Sequence, residues 1–155
     1  MSHSPISWHE YFMANAILAA KRSKDKNTQV GACIVNTHKR IAGIGYNGMP
    51  NGLDEAFPWE RDGEWLDTKY PYVVHAEKNA ILNSTQDIRG CSIYVTLFPC
   101  SDCAKAIVQA GIKKVYYLSD KYNGTDDNIA SKRIFDACKI PYEKIVLEQP
   151  IILQA

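Results

Sequence analysis

The chain has 155 residues, 46% of them hydrophobic and 23% charged, with a formal net charge of +1. Those values fit a single globular domain over residues 1–155, exclude a disordered chain, and argue against nucleic acid as partner, since phosphate neutralisation needs a basic excess. No apolar run approaches the ~20 residues of a membrane-spanning helix, and Met1 to Ser7 lack the organisation of a signal peptide, so a cytoplasmic protein with no membrane partner is expected.

Ser7-Trp8-His9-Glu10 has capping-box spacing, and apolar residues then recur at Phe12, Ala16, Ile17, Ala19 and Ala20. That period predicts a helix ending near Ser23. Val30 to Val35 reads as a buried strand and Ile41 to Tyr46 as its hairpin partner, joined by a turn containing His38-Lys39. Residues 47–72 have no period and carry Asn47-Gly48, Pro50, Asn51-Gly52, Pro58, Gly63 and Pro71 together with Trp59 and Trp65. So long an irregular stretch inside a compact domain is expected to be functional. Helix 76–83, strand 92–97, helix 101–110 with Gly111 as its C-cap, strand 114–118, helix 128–137 and a short strand at 144–147 complete the chain. The order predicts an α/β domain of three layers, a central mixed five-stranded sheet with its later strands parallel and helices on both faces.

Two clusters carry chemistry: His75-Ala76-Glu77 at one predicted helix start, and Pro99-Cys100-Ser101-Asp102-Cys103 at the next. In open α/β sheets ligands collect where strand ends meet helix N-termini, so clusters far apart in sequence can converge there. A structural zinc site fills four positions with protein ligands, whereas a catalytic one keeps a position for water. Here three good candidates stand out, one imidazole and two thiolates, and a helix N-terminus favours thiolate over thiol. Glu77, two residues past His75, points in another direction and is placed to move protons rather than to bind metal.

Taken singly, each part has a plain structural reading. A His at a helix start is often a cap, a lone Cys-x-x-Cys can be a redox pair or half a zinc knuckle, and a Glu in a first turn commonly serves the helix dipole. Together, His-x-Glu and Pro-Cys-x-x-Cys resemble the signature of zinc-dependent base deaminases. Asp102 is a conceivable fourth ligand, awkwardly placed between two thiolates. Cys33, Cys91 and Cys138 are expected as small buried hydrophobes, in keeping with a reducing compartment, and His3, His9 and His38 as solvated or capping residues.

The resemblance narrows further on Cys-Ile-Val-Asn at 33–36, Gly-Ile-Gly-Tyr-Asn-Gly-Met-Pro-Asn-Gly at 43–52, Leu-Asp-Thr-Lys-Tyr-Pro-Tyr-Val at 66–73, Leu-Phe-Pro-Cys at 97–100 and Ser-Asp-Lys-Tyr at 119–122. From about Trp8 to Tyr122 the chain is similar to the deoxycytidylate (dCMP) deaminases of the zinc-dependent cytidine/deoxycytidylate deaminase superfamily. The resemblance implies the cytidine-deaminase fold and hydrolysis of dCMP to dUMP and ammonia, feeding thymidylate synthesis. It implies Zn2+ on His75, Cys100 and Cys103, with Glu77 as the proton shuttle. It also implies a homo-oligomer, typically a hexamer, activated by dCTP with Mg2+ and inhibited by dTTP. A tRNA adenosine deaminase or a free cytidine deaminase shares the metal motif and is the enzymatic alternative; a zinc-stabilised interaction module is the non-enzymatic one.

Candidate substrate contacts follow from chemistry. Asn47 is placed to reach a sugar hydroxyl or a base edge, or equally to serve the Asn47-Gly48 turn. The N–H of Ala76, in the first turn of its helix, is a donor for the cytosine O2. Phe98 is placed either to stack on the base or to fill the core. A 5′-phosphate calls for cations, for which Arg22, Lys24 and Lys26 form one candidate group and Lys121 with Tyr122 another. A regulatory triphosphate calls for backbone N–H groups, which Gly45, Asn47, Gly48, Asn51 and Gly52 offer unless they simply form a rigid connection.

Overall fold

In the computed structural model, which describes residues 3–151 and 153, a five-stranded sheet in the order β2-β1-β3-β4-β5 forms the middle layer. Residues 1, 2, 152, 154 and 155, the ends of the expected 1–155 domain and part of the Met1–Ser7 segment, lie outside the described residues. The strands are β1 (Gly31–Val35), β2 (Ile41–Tyr46), β3 (Ser92–Leu97), β4 (Lys114–Ser119) and β5 (Tyr142–Lys144). The helices are α1 (Trp8–Ala20), α2 (Ala76–Leu82), α3 (Ser101–Gln109) and α4 (Asp126–Ala137). β1 runs antiparallel to β2 and β3, while β3, β4 and β5 are parallel, so the sheet is mixed as expected.

Alternation along the strands builds the layers. Ala32, Ile34, Ile93, Val95 and Val115 face one way and pack on Ala76 and Ala80 of α2, Ala104 and Ile107 of α3 and Phe135 of α4. Cys33, Val35 and Tyr94 face the other way and meet Phe12, Met13 and Ala16 of α1. α1 approaches β1 so closely that a Cβ built on Gly31 would lie 1.7 Å from the carbonyl oxygen of Ala16. Only glycine fits there.

The caps follow the local chemistry. Ser7 accepts from the N–H of Glu10 at 3.1 Å, which starts α1 where the capping box places it. α1 closes at Ala20, three residues before the expected end, and Arg22 and Ser23 continue as turns bonded to Ala19 and Ala20. α4 begins at Asp126 rather than 128 because Thr125 caps the N–H of Asn128 at 3.3 Å. β5 pairs at 142–144, not 144–147, since Val115, Tyr116 and Tyr117 of β4 align with those residues.

Residues 47–74 are irregular, with one short 3-10 turn at Trp65–Asp67. An isolated bridge between Gly48 and Val74 closes the segment, and the stacked rings of Phe57 and Tyr72, 4.3 Å apart, fasten it internally. Among the described residues no helix is long and apolar enough to cross a membrane.

Candidate active site and metal centre

α2 and α3 both start at one end of the sheet, and each presents its cap residue to the other. His75 is the N-cap of α2 and Cys100 the N-cap of α3, both in extended backbone conformation. His75 Nδ1 lies 3.4 Å from Cys100 Sγ and 3.4 Å from Cys103 Sγ, and all three ligand atoms fall within 4.8 Å of one another. A tetrahedral zinc with Zn–S of ~2.3 Å and Zn–N of ~2.0 Å separates N from S by ~3.5 Å. The residues present therefore fit zinc, with His75 turned to offer Nδ1.

The electrostatics agree with a site built for a cation. The hydrogen bond with Cys103 and the neighbouring imidazole of His75 hold the Cys100 thiol well below its ordinary value. Its bond to Cys100 and its burial hold Cys103 well above. The Cys100 sulfur likewise raises His75, against the opposing effect of burial. Glu77, 4% exposed, is pushed up to about 7 by burial, with His75 opposing the rise. A dication on the neighbouring side chains would favour the ionised carboxylate and oppose that rise too.

Asp102 turns away from the trio. Its carboxylate pairs with Lys78 and stands 3.6 Å from Lys105, so the conceivable fourth ligand is a surface ion-pair partner. Among the described residues no other His, Cys, Asp or Glu joins the cluster. Ser101 is held by Asp127, its N–H donating to Oδ2 at 3.1 Å and its hydroxyl to Oδ1 at 2.6 Å. That contact ties the start of α4 to the turn bearing Cys100.

His75, Glu77 and Cys100 line a cavity of about 430 Å3. Four of the expected substrate-facing residues, Asn47, Ala76, Phe98 and Tyr122, line it as well. Asn47 already has structural duties: its Oδ1 accepts from the N–H of Val30 at 2.8 Å and its Nδ2 donates to Thr28 O at 2.9 Å, which ties the start of β1 to the end of β2. Phe98 is both wall and core, edge-on to Tyr117 at 4.9 Å and beneath Lys132 Nζ at 5.0 Å.

The cations expected for a phosphate stand elsewhere. Arg22 lies over the ring of Tyr46, Lys24 pairs with Asp54 at 3.0 Å, and Lys121 lies over Tyr122; none of the three lines the cavity, nor does Lys26. The cavity's cations are Arg61 and Lys69, from the irregular segment. Sequence reasoning missed both, because nothing local in an aperiodic loop says which way a side chain turns; it also missed Asp25, in the turn after α1, and Asn128, in α4. The available signal was the position of Arg61 and Lys69 inside the long loop already marked as functional.

The glycine-rich segment also divides. A Cβ on Gly45 would lie 2.3 Å from Ala80 N and 2.4 Å from Ala76 O, so this glycine serves the approach of α2 to β2 rather than offering its backbone to a ligand. Gly48 pairs with Val74, and Asn51 and Gly52 form an exposed turn with Gly52 at φ +80°. Cys33 and Cys91 are buried as expected, burial pushing the Cys33 thiol up to about 12, but Cys138 is exposed at the C-cap of α4. His9, though exposed, is bonded through Nδ1 to the Tyr94 hydroxyl at 2.7 Å.

Comparison with known proteins matches residues 6–119 to the family described as the cytidine and deoxycytidylate deaminase zinc-binding region. The chain is 56% identical to the deoxycytidylate deaminase of Homo sapiens over 144 residues, covering 91% of this chain and 81% of that one. It is 49% identical to the probable deoxycytidylate deaminase of Drosophila melanogaster, covering 95% and 76%. Among solved structures it resembles the dCMP deaminase of cyanophage S-TIM5 in complex with dCMP and dUMP, with a TM-score of 0.73, 32% identity, and 92% and 100% of the two chains covered.

Proposed function

The chain belongs to the zinc-dependent cytidine and deoxycytidylate deaminase family, and we propose that it hydrolyses dCMP to dUMP and ammonia as a single catalytic domain. The observation that carries this reading is the meeting of His75, Cys100 and Cys103 beside buried Glu77 in a cavity walled by Phe98 and Arg61. The likeness to deoxycytidylate deaminases over most of the chain supports the choice of substrate.

His75 Nδ1 and the two thiolates hold the metal. The chemistry supplied there when zinc is bound is Lewis acidity, which brings a water's pKa to about 7 from the ~15.7 of bulk water. Glu77 takes a proton from the attacking water and delivers it to N3 of the cytosine ring. As the new C–O bond forms at C4, the ring becomes tetrahedral there. Glu77 then carries the second proton to the 4-amino group, the C4–N bond breaks, and ammonia leaves with C4 as a carbonyl. Buried beside the metal trio, this carboxyl stands where it can take a proton from water and give it to the ring. Phe98 offers a face to the base and the Ala76 N–H a donor to O2. Asn47, on the remaining capacity of its amide, reaches the sugar.

Arg61 reads the 5′-phosphate. It takes part in none of the ion pairs among the described residues, and it lines the cavity. A hydrogen bond to a charged group contributes ~1.5–3 kcal/mol, enough for one or two to separate nucleotide from nucleoside. Tyr122, at the same wall, adds a hydroxyl donor.

We propose further that the enzyme works in the cytoplasm as a hexamer that supplies dUMP for thymidylate synthesis, activated by dCTP with Mg2+ and inhibited by dTTP. Gly48 spends its N–H on Val74, so Asn51 and Gly52, in the exposed turn, are the part of the glycine-rich segment left to meet a regulator.

The deciding experiment follows cytidine, deoxycytidine, CMP and dCMP by ultraviolet absorbance, with and without dCTP. Preferred turnover of dCMP supports the reading, and preferred turnover of unphosphorylated cytidine rejects it. A saturation curve for dCMP that is hyperbolic and indifferent to dCTP rejects the regulated part alone.

A further inference from the structure

Lys69 and Asp25 form an ion pair in the cavity wall, at 8% and 1% exposure. Asp25 sits in the turn between α1 and β1, and its Oδ1 accepts the N–H groups of Asn27 at 2.8 Å and Thr28 at 3.3 Å. Its Oδ2 accepts from Lys69 Nζ. Burial pushes the carboxyl up, but Lys69 and the two N–H groups outweigh it and keep Asp25 below its ordinary value. The pair is largely buried, and removing one member would leave the other without its partner in the cavity wall.

The backbone of Lys69 is engaged as fully as its side chain. Its N–H donates to Glu60 O at 2.8 Å, and its carbonyl accepts from Tyr72 at 3.0 Å and Val73 at 2.8 Å. Val74 follows, bridged to Gly48, and then His75. One residue thus joins the rigid turn after α1, the carbonyl immediately before Arg61, and the stretch that enters the metal cluster.

We propose that Lys69 is a positioning residue: anchored on Asp25, it holds Glu60 in place so that Arg61 stands at the cavity to meet the substrate's 5′-phosphate. The inference rests on the dCMP reading above. Lys69 acts through Arg61 and does not itself bind the phosphate, because its ammonium is already committed to Asp25.

A double-mutant cycle on the full chain tests this, using kcat/KM for dCMP and for deoxycytidine. Lys69→Met should lower the dCMP-to-deoxycytidine preference about tenfold or more, mainly through KM for dCMP. Lys69→Arg, which keeps the charge and the reach, should stay within about threefold of the parent. Lys69→Met added to Arg61→Ala should change the preference by less than about twofold, since the group it positions is gone. Amide hydrogen exchange at 59–62 should quicken in Lys69→Met while β1 and β3 keep their protection. Should Lys69→Met not fold, Asp25→Asn with Lys69→Gln removes both charges together and should give the same loss of preference. An equal fall for both substrates would mean that Lys69 only stabilises the fold. A double variant weaker by the product of the singles would mean that Lys69 contacts phosphate directly. Unchanged exchange at 59–62 would remove the tether. Each of those three overturns the inference. A parent enzyme with no preference for dCMP would instead overturn the nucleotide reading, and the exchange data would still report on the tether.

Discussion

Glu77→Gln preserves the shape of the side chain and its reach but removes its capacity to take a proton. General acid–base catalysis contributes about 10²–10⁴-fold, so kcat should fall by at least that factor, while zinc content measured by atomic emission stays at the parent level. Cys100→Ala should behave in the opposite order: zinc is lost first, and activity with it, because two donors cannot replace three. Asp25 makes a prediction about acid. Its folded-state pKa is depressed below the ordinary 3.8, so its contribution to stability is present above that value and is lost as pH falls through the folded pKa. Urea midpoints measured across that acid range should drop steeply for the parent and less so for Asp25→Asn, which starts lower at neutral pH.

At the scale of elements, the site depends on how α2 lies against β2. Gly45→Ala would place a methyl 2.3 Å from Ala80 N, so α2 must shift, and His75 and Glu77 move with it. Overpacking of this kind costs about 1–3 kcal/mol, and both melting temperature and kcat should fall. Ser7→Ala removes a cap from α1 on the opposite face and costs about 1 kcal/mol. It should lower the melting temperature and leave kcat/KM alone. The contrast separates a helix that carries chemistry from one that covers the sheet. Helix positions were readable in the sequence because caps and apolar periods are local. The two misplaced starts, at α4 and β5, came from Thr125 and from pairing with β4, the second of which is not local at all.

For the whole molecule, a bound metal would link folding to function. If zinc is held by side chains from α2 and α3 together, its binding stabilises the docked arrangement of both helices. Dialysis against a chelator should therefore lower the melting temperature as well as abolish turnover, and one equivalent of zinc per chain should restore both. Loss of activity with an unchanged melting curve would show that the helices dock without the metal. The sequence by itself determined the layer order, the strands up to Ser119, and the candidate metal trio with its neighbouring carboxylate, because those signals are short motifs at helix starts and periods along single elements. Only the tertiary structure decided which cations wall the cavity. Arg22, Lys24 and Lys121 are taken by Tyr46, Asp54 and Tyr122, while Arg61, Lys69 and Asp25 arrive from segments with no period. Which charge faces a cavity depends on how distant segments fold against one another, and that is a property of three-dimensional packing and not of spacing along the chain.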